Sequence, residues 1–250
     1  MTNRLNQFGI EHWIALLLVG MLFILLLLTL VGLVASYLIS DPHSLQPHLY
    51  AVSLALLGAF IFSLYVLKHA WSEIRSLLPI AGIAGLVVGI FLGSIFNLPY
   101  YLGLLLYFGV FGPFMALTST GLTDVASAYR LLDIALSTLA VLLSFSLYTL
   151  VAFFITRRTG NATQGLWGAF LAAFVAVLVA TFTFVTLAVI SSFSTFFSQW
   201  MLSNLASYQF LPLQTMPLSF AQAVHAAVGG LLGTAIARRY LRRGRVSESK

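Results

Sequence analysis

The sequence predicts an all-α protein: a polytopic transmembrane helix bundle of about six spans, with a re-entrant or interfacial segment near 97–118. Three observations predict it. The chain has 250 residues, of which 60% are hydrophobic and 7% charged, whereas a soluble domain carries roughly 25% charged residues. The apolar residues fall in long runs, such as Trp13 to Leu38, long enough to cross a bilayer as helices. The basic residues collect at the ends of those runs, which is the pattern of membrane topogenesis.

Taken in order, the predicted spans are 12–38, 48–71, 77–96, 131–155, 164–197 and 217–237, followed by a basic tail at 238–250. The first run is too long for a signal-peptide core, and no small-residue cleavage site closes it, so it reads as a retained span. The tail from Val246 onward reads as disordered. Segment 97–118 is apolar but is interrupted by Pro99, Gly103, Gly109, Gly112 and Pro113. Parity assigns it. With six spans, Arg4, Lys68, Arg75, Arg157, Arg158 and the tail share one side, and only Arg130 falls on the other. A seventh span would divide the arginines between the two faces. Positive charge marks the cytoplasmic side, so both termini are expected there, in a plasma or inner membrane. The alternative for 97–118 is a kinked hairpin. Trp13, Trp71 and Trp167 stand at predicted inner ends and Trp200 at an outer one, as an aromatic belt requires.

Small residues set the expected packing. Gly85, Gly89 and Gly93 form tandem GxxxG, and Ala221, His225, Gly229, Gly233 and Ala237 recur every four residues. Such stripes allow helix backbones to approach closely in lipid. The plain reading is packing within the chain; dimerisation or approach to a cofactor is the other.

Charge and motif content exclude several classes of function. The net charge of +6 lies at helix ends and does not mark a nucleic-acid partner. The absence of cysteine rules out disulfides, thiolate metal sites and cysteine nucleophiles. No GxSxG, HExxH or phosphate-binding glycine loop occurs, so no catalytic residue is assigned and the chain does not read as an enzyme by itself. Asn161-Ala162-Thr163 matches a glycosylation sequon but falls on the expected inner side, where it is accidental. Asp133 beside Arg130 reads as an interfacial ion pair, with a proton or cation relay as the functional alternative. The bilayer is the assured partner, with anionic lipid meeting the cationic tail. Membrane or peripheral protein subunits are the further class of partner.

The histidines are the most specific lead. His12 and His69 fall at inner ends of the first and second spans, His48 at the outer start of the second, and His225 on the small-residue stripe of the last. Imidazole is an axial ligand of haem iron, and a bundle holds haem where two histidines face each other at similar depth. His12 and His69 match in depth, and Gly229 and Gly233 would leave room for a flat ring beside His225.

These residues resemble the dihaem cytochrome b membrane subunits of formate dehydrogenases and related hydrogenases. The resemblance lies in His12-Trp13, in the His48 and His69 spacing, and in His225-Ala226-Ala227-Val228-Gly229. It implies His12, His48 and His225 as haem b ligands and electron transfer across the membrane to or from quinone, beside a dehydrogenase or reductase partner. Arg239 stands where that family carries a further histidine, which would leave His12 to pair with His69. Two other readings stand beside it. A small-solute permease or transporter component is favoured by the broken segment 97–118, glycine-rich 77–96 and the Thr181, Thr183, Thr186 group. A non-catalytic assembly or scaffold protein is favoured by the lack of motifs.

Overall fold

Each long apolar run that lies in the described part of the chain is a helix, because in lipid only a helix or a closed barrel satisfies its own backbone. The structure, a computed structural model, describes residues 10–39, 71–95, 122–193 and 211–248, together with Gly58, Ile61, Leu64, Tyr65 and Lys68. It contains α1 (Ile10–Ile39), α2 (Trp71–Ile95), α3 (Leu122–Thr159), α4 (Ala162–Phe193) and α5 (Leu211–Glu248). All five are long and apolar enough to cross a membrane. No strand occurs among the described residues. Gly58, Ile61, Leu64, Tyr65 and Lys68 are helical and exposed, and apart from Trp71 the rest of the predicted span 48–71 lies outside the described residues, as does segment 97–118.

The helices overrun the predicted spans. α2 begins at Trp71 rather than 77, α3 covers 122–159 rather than 131–155, and α5 covers 211–248 rather than 217–237. The tail expected to be disordered is helical through Glu248. The physical reason is the same in each case. Apolarity marks where a helix meets hydrocarbon, not where its hydrogen bonding stops, and arginine is a good helix former. Pro79 and Pro217 stand inside α2 and α5. Each removes one bond to the carbonyl four residues earlier, a loss that neighbouring helices and side chains make tolerable within membranes.

α4 is the hub of the bundle and packs most extensively against α2. The glycine stripe explains that contact. A Cβ placed on Gly85, Gly89 or Gly93 would lie 2.6, 2.7 and 2.6 Å from the carbonyl oxygens of Ala172, Ala176 and Ala180. The two backbones are in direct contact, each glycine seated against an alanine one turn further along. The registers rise together, so α2 and α4 run parallel. Within-chain packing of this stripe is thus realised.

α3 and α4 form a hairpin closed by Gly160, whose φ of +70° is the left-handed conformation that glycine adopts without strain. Its N–H donates to the Thr156 carbonyl (2.8 Å), ending α3. The Asn161 side-chain oxygen accepts from the Thr163 N–H (2.9 Å), capping the start of α4. The apparent sequon is therefore a helix cap. Gly165 and Gly168 seat against Thr156 and Ile155 on the returning helix.

α5 lies parallel to α3, with Gly229 against Phe145 and Thr149 and Gly233 against Thr149, Ala152 and Phe153. Its other flank meets α4, where Gly230 touches Leu166 and Ala169. The interior is correspondingly small in residue size: Ala81, Val88, Ala152, Ala169, Ala172, Val175 and Ala176 are fully buried. Leucine, isoleucine and phenylalanine cover the outside, including Leu16, Phe23, Ile83, Leu142, Phe154 and Phe220, as a lipid-facing surface requires.

These registers fix the sidedness. The starts of α2 and α4 and the ends of α3 and α5 share one end of the bundle, and α1 begins there too, since His12 meets Trp71. Arg75, Arg157, Arg158, Arg238, Arg239 and Arg242 therefore collect at one end, with Trp13, Trp71 and Trp167. Because α2 and α3 are antiparallel, the end of α2 and the start of α3 share the opposite end of the described bundle.

Candidate functional site

Between α1, α4 and α5 lies a cleft of about 350 Å³. Leu22, Leu25 and Leu26 form one wall and Phe170, Phe174 and Val177 another. Its polar groups are Thr29, Thr181, Thr215, Ser219 and Gln222. The cleft exists because α1 meets the bundle at few places, among them Ile14 against Gly82 of α2, while no glycine of α4 or α5 is seated against it.

The hydroxyls in this cleft are tied to their own helices. Thr29 donates to the Leu25 carbonyl (2.9 Å), Thr181 to Val177 (2.8 Å) and Ser219 to Thr215 (2.8 Å). Each keeps its oxygen lone pairs as acceptors. Gln222 is held differently. Its carbonyl oxygen accepts from the Tyr148 hydroxyl at 2.7 Å, across the α3–α5 contact, and both side chains are buried. The pair positions the amide at the edge of the cleft. No lining residue carries a formal charge. The site is thus suited to a neutral, mostly apolar molecule with one or two hydrogen-bonding groups. Its size falls in the range of small-molecule pockets.

The structure separates the threonines that the sequence groups together. Thr181 faces the cleft, Thr183 lies against Gly93 of α2, and Thr186 is exposed. Helical periodicity is the reason, since residues two apart differ by about 200° around the axis.

The histidines do not converge among the described residues. His12 lies at the start of α1 with its ring 5.1 Å from that of Trp71, tilted by 60°. His225 is half-buried on α5, and its Nδ1 is buried without a hydrogen-bond partner among the described residues. By helix register His225 sits roughly 15–20 Å deeper than Trp71, at 1.5 Å per residue, so His12 and His225 cannot share one ring. Nor do Gly229 and Gly233 leave the expected room, because the backbone of α3 fills it. His48 and His69 lie outside the described residues. The described residues alone therefore do not fit a bis-histidine haem. No cluster of three metal-ligating side chains occurs among them either.

Arg130 and Asp133 both stand within α3, three residues apart and well past its first residue, Leu122. Their side chains lie outside the described residues, as does Trp200.

Two features escaped the sequence reading. The Ala172, Ala176, Ala180 stripe was legible as a four-residue repeat complementary to Gly85, Gly89 and Gly93. The Tyr148–Gln222 bond joins residues 74 apart, and no local pattern announces it. Comparison with known proteins finds no matching family model, no matching relative among curated proteins and no matching solved structure.

Proposed function

We propose that this chain is a multi-pass membrane protein of six spans, with its basic end and both termini on the cytoplasmic side, and that it binds a small neutral solute in the cleft between α1, α4 and α5. One observation carries the reading: an apolar cleft whose few polar groups come from three separate helices and include an amide fixed from behind by Tyr148. Such a cleft at membrane depth is where a permease or transporter component holds its solute. The sidedness rests on the gathering of arginines at one end. Segment 97–118 then folds back on the outer side as a re-entrant piece.

The test uses the natural absence of cysteine. Ala223→Cys places a thiol in the cleft, and Val228→Cys places one on the lipid-facing side of the same helix. In sealed vesicles a water-soluble maleimide is expected to label Ala223→Cys at least about tenfold faster, since alkylation requires a hydrated thiolate. Equal, negligible labelling of both would reduce the cleft to a lipid-facing notch and sink the solute reading. Reporters fused after Gly160 and after Lys250 are expected on the same, cytoplasmic side. Opposite sides for the two would overturn the topology.

The Nδ1 of His225, buried without a hydrogen-bond partner among the described residues, favours a second reading: a haem-b electron-transfer subunit, with His48 supplying the partner ligand. A reduced-minus-oxidised visible spectrum of protein from haem-replete cells decides it. A band that His225→Ala diminishes would support it, and a featureless spectrum would end it.

A further inference from the structure

The basic end is not uniformly charged around the bundle. α5 turns Gly229, Gly233 and Ala237 toward its neighbours. At about 100° per residue, Arg238 and Arg242 fall on its opposite, outward side, and Arg239 falls beside α3. Tyr240 faces α3 itself. The Phe153 ring lies 6.4 Å from that of Tyr240, and the Arg157 guanidinium lies over the Tyr240 ring at 4.8 Å. Stacking of this kind holds the guanidinium in place while leaving its N–H donors directed outward in its plane.

Arg157 and Arg239 therefore flank one seam, between α3 and α5, on the side away from α4. Both are exposed, and among the described residues neither pairs with a carboxylate. Going away from the basic end, the same seam continues between Leu150 and Phe153 on one helix and Leu232 and Ile236 on the other. Leu150, Leu232 and Ile236 are exposed. Gly229 and Gly233 bring the two helices together beneath them. The arrangement is one stacked cation, Arg157, and one exposed cation, Arg239, at the basic end of an apolar track.

We propose that this seam is a binding site for one anionic phospholipid, with Arg157 and Arg239 taking the headgroup phosphate and the track taking an acyl chain. Charge complementarity selects the occupant. The arginines have no protein counter-ion in the described bundle, the surface beside them is lipid-facing, and a phosphodiester accepts two guanidinium donors at once. Arg158 serves as the internal control. It is exposed at the same end, but helix register turns it away from the seam.

The test is native mass spectrometry of the full chain, released from detergent with added phosphatidylglycerol or phosphatidylcholine. The unsubstituted chain is expected to retain one phosphatidylglycerol in preference to phosphatidylcholine. Arg157→Gln and Arg239→Gln are each expected to weaken that preference roughly fivefold, as loss of one basic contact near an anionic surface does. Arg158→Gln is expected to leave it unchanged, and Arg157→Lys to fall between, because lysine keeps the charge but not the planar fork. Excess inorganic phosphate is expected not to displace the lipid, since it lacks the acyl chain. Equal retention of both lipids would overturn the proposal. So would an Arg158→Gln loss equal to that of Arg157→Gln, which would mean diffuse attraction, or displacement by inorganic phosphate, which would mean an anion site without an acyl track.

Discussion

α1 and α2 are both apolar helices of similar length, yet they are held in opposite ways. α1 is the more hydrophobic of the two, rich in leucine, and is the least buried of the five spans. Leu16, Phe23, Leu27 and Val34 all point away from the bundle. α2 spends three glycines on one stripe and lies backbone to backbone with α4. The contrast shows what binds helices in lipid. Hydrocarbon surrounds leucine whether or not a helix is docked, so burying it supplies no transfer energy. Close packing of small residues gives dispersion contacts that lipid chains cannot match.

The largest expected effect comes from attacking α2. Gly89→Leu forces a side chain into the Ala176 carbonyl and Val179, and is expected to cost 3 kcal/mol or about that, at the upper end for overpacking. Thermal unfolding in detergent measures it. A loss below about 0.5 kcal/mol, the size of a neutral surface change, would show that the two backbones are not in contact. A middling effect is expected at the α3–α5 contact. Tyr148→Phe removes the buried bond to Gln222 and is expected to cost about 0.6 kcal/mol, at most about 1.7, as interhelical bonds in membranes do. Adding Gln222→Leu should recover part of that loss, because no orphaned amide then remains. If the double variant is less stable than the sum of the singles, the pair is not the isolated unit described here. The smallest effect belongs to α1. Nothing lies within 4 Å of a Cβ placed on Gly20. Gly20→Ala is therefore expected to be neutral or stabilising by up to about 1 kcal/mol, from helix propensity alone. Destabilisation there would mean that α1 is packed as tightly as α2.

The same contrast explains how much was legible beforehand. Spans follow from apolar runs, and the glycine stripe of α2 announces its own role, because a one-dimensional repeat at four residues maps directly onto a helix face. Sidedness followed from arginine placement, and the described helices do gather those arginines at one end. Helix ends were misplaced where polar residues continue a helix beyond hydrocarbon, as from Arg238 to Glu248. Partners across helices were not legible. Nothing local tells Gln222 that it will meet Tyr148, or that Gly229 will rest on α3 rather than beside a cofactor. The cleft is further still from the sequence, since it is defined by what α1 fails to fill. The histidines illustrate the limit: similar depth pairs His12 with His69, which lies outside the described residues, and helix register leaves His225 without a described histidine at its own depth.

The parallel pairing of α2 with α4 has a consequence for synthesis. The two best-matched surfaces are separated in the chain by the whole of α3. At about 5–20 residues per second, roughly 100 residues must be made after α2 before α4 is complete, a delay of about 5–20 seconds. Throughout that interval the glycine groove of α2 has no alanines to receive it and must be screened by lipid or by an insertion factor. A crosslinker placed at Val88→Cys, buried beside the groove in the finished bundle, should capture such a companion in chains stalled at residue 160 and lose it in chains stalled past residue 230. An unchanged companion at both lengths would mean that the groove closes by some other route.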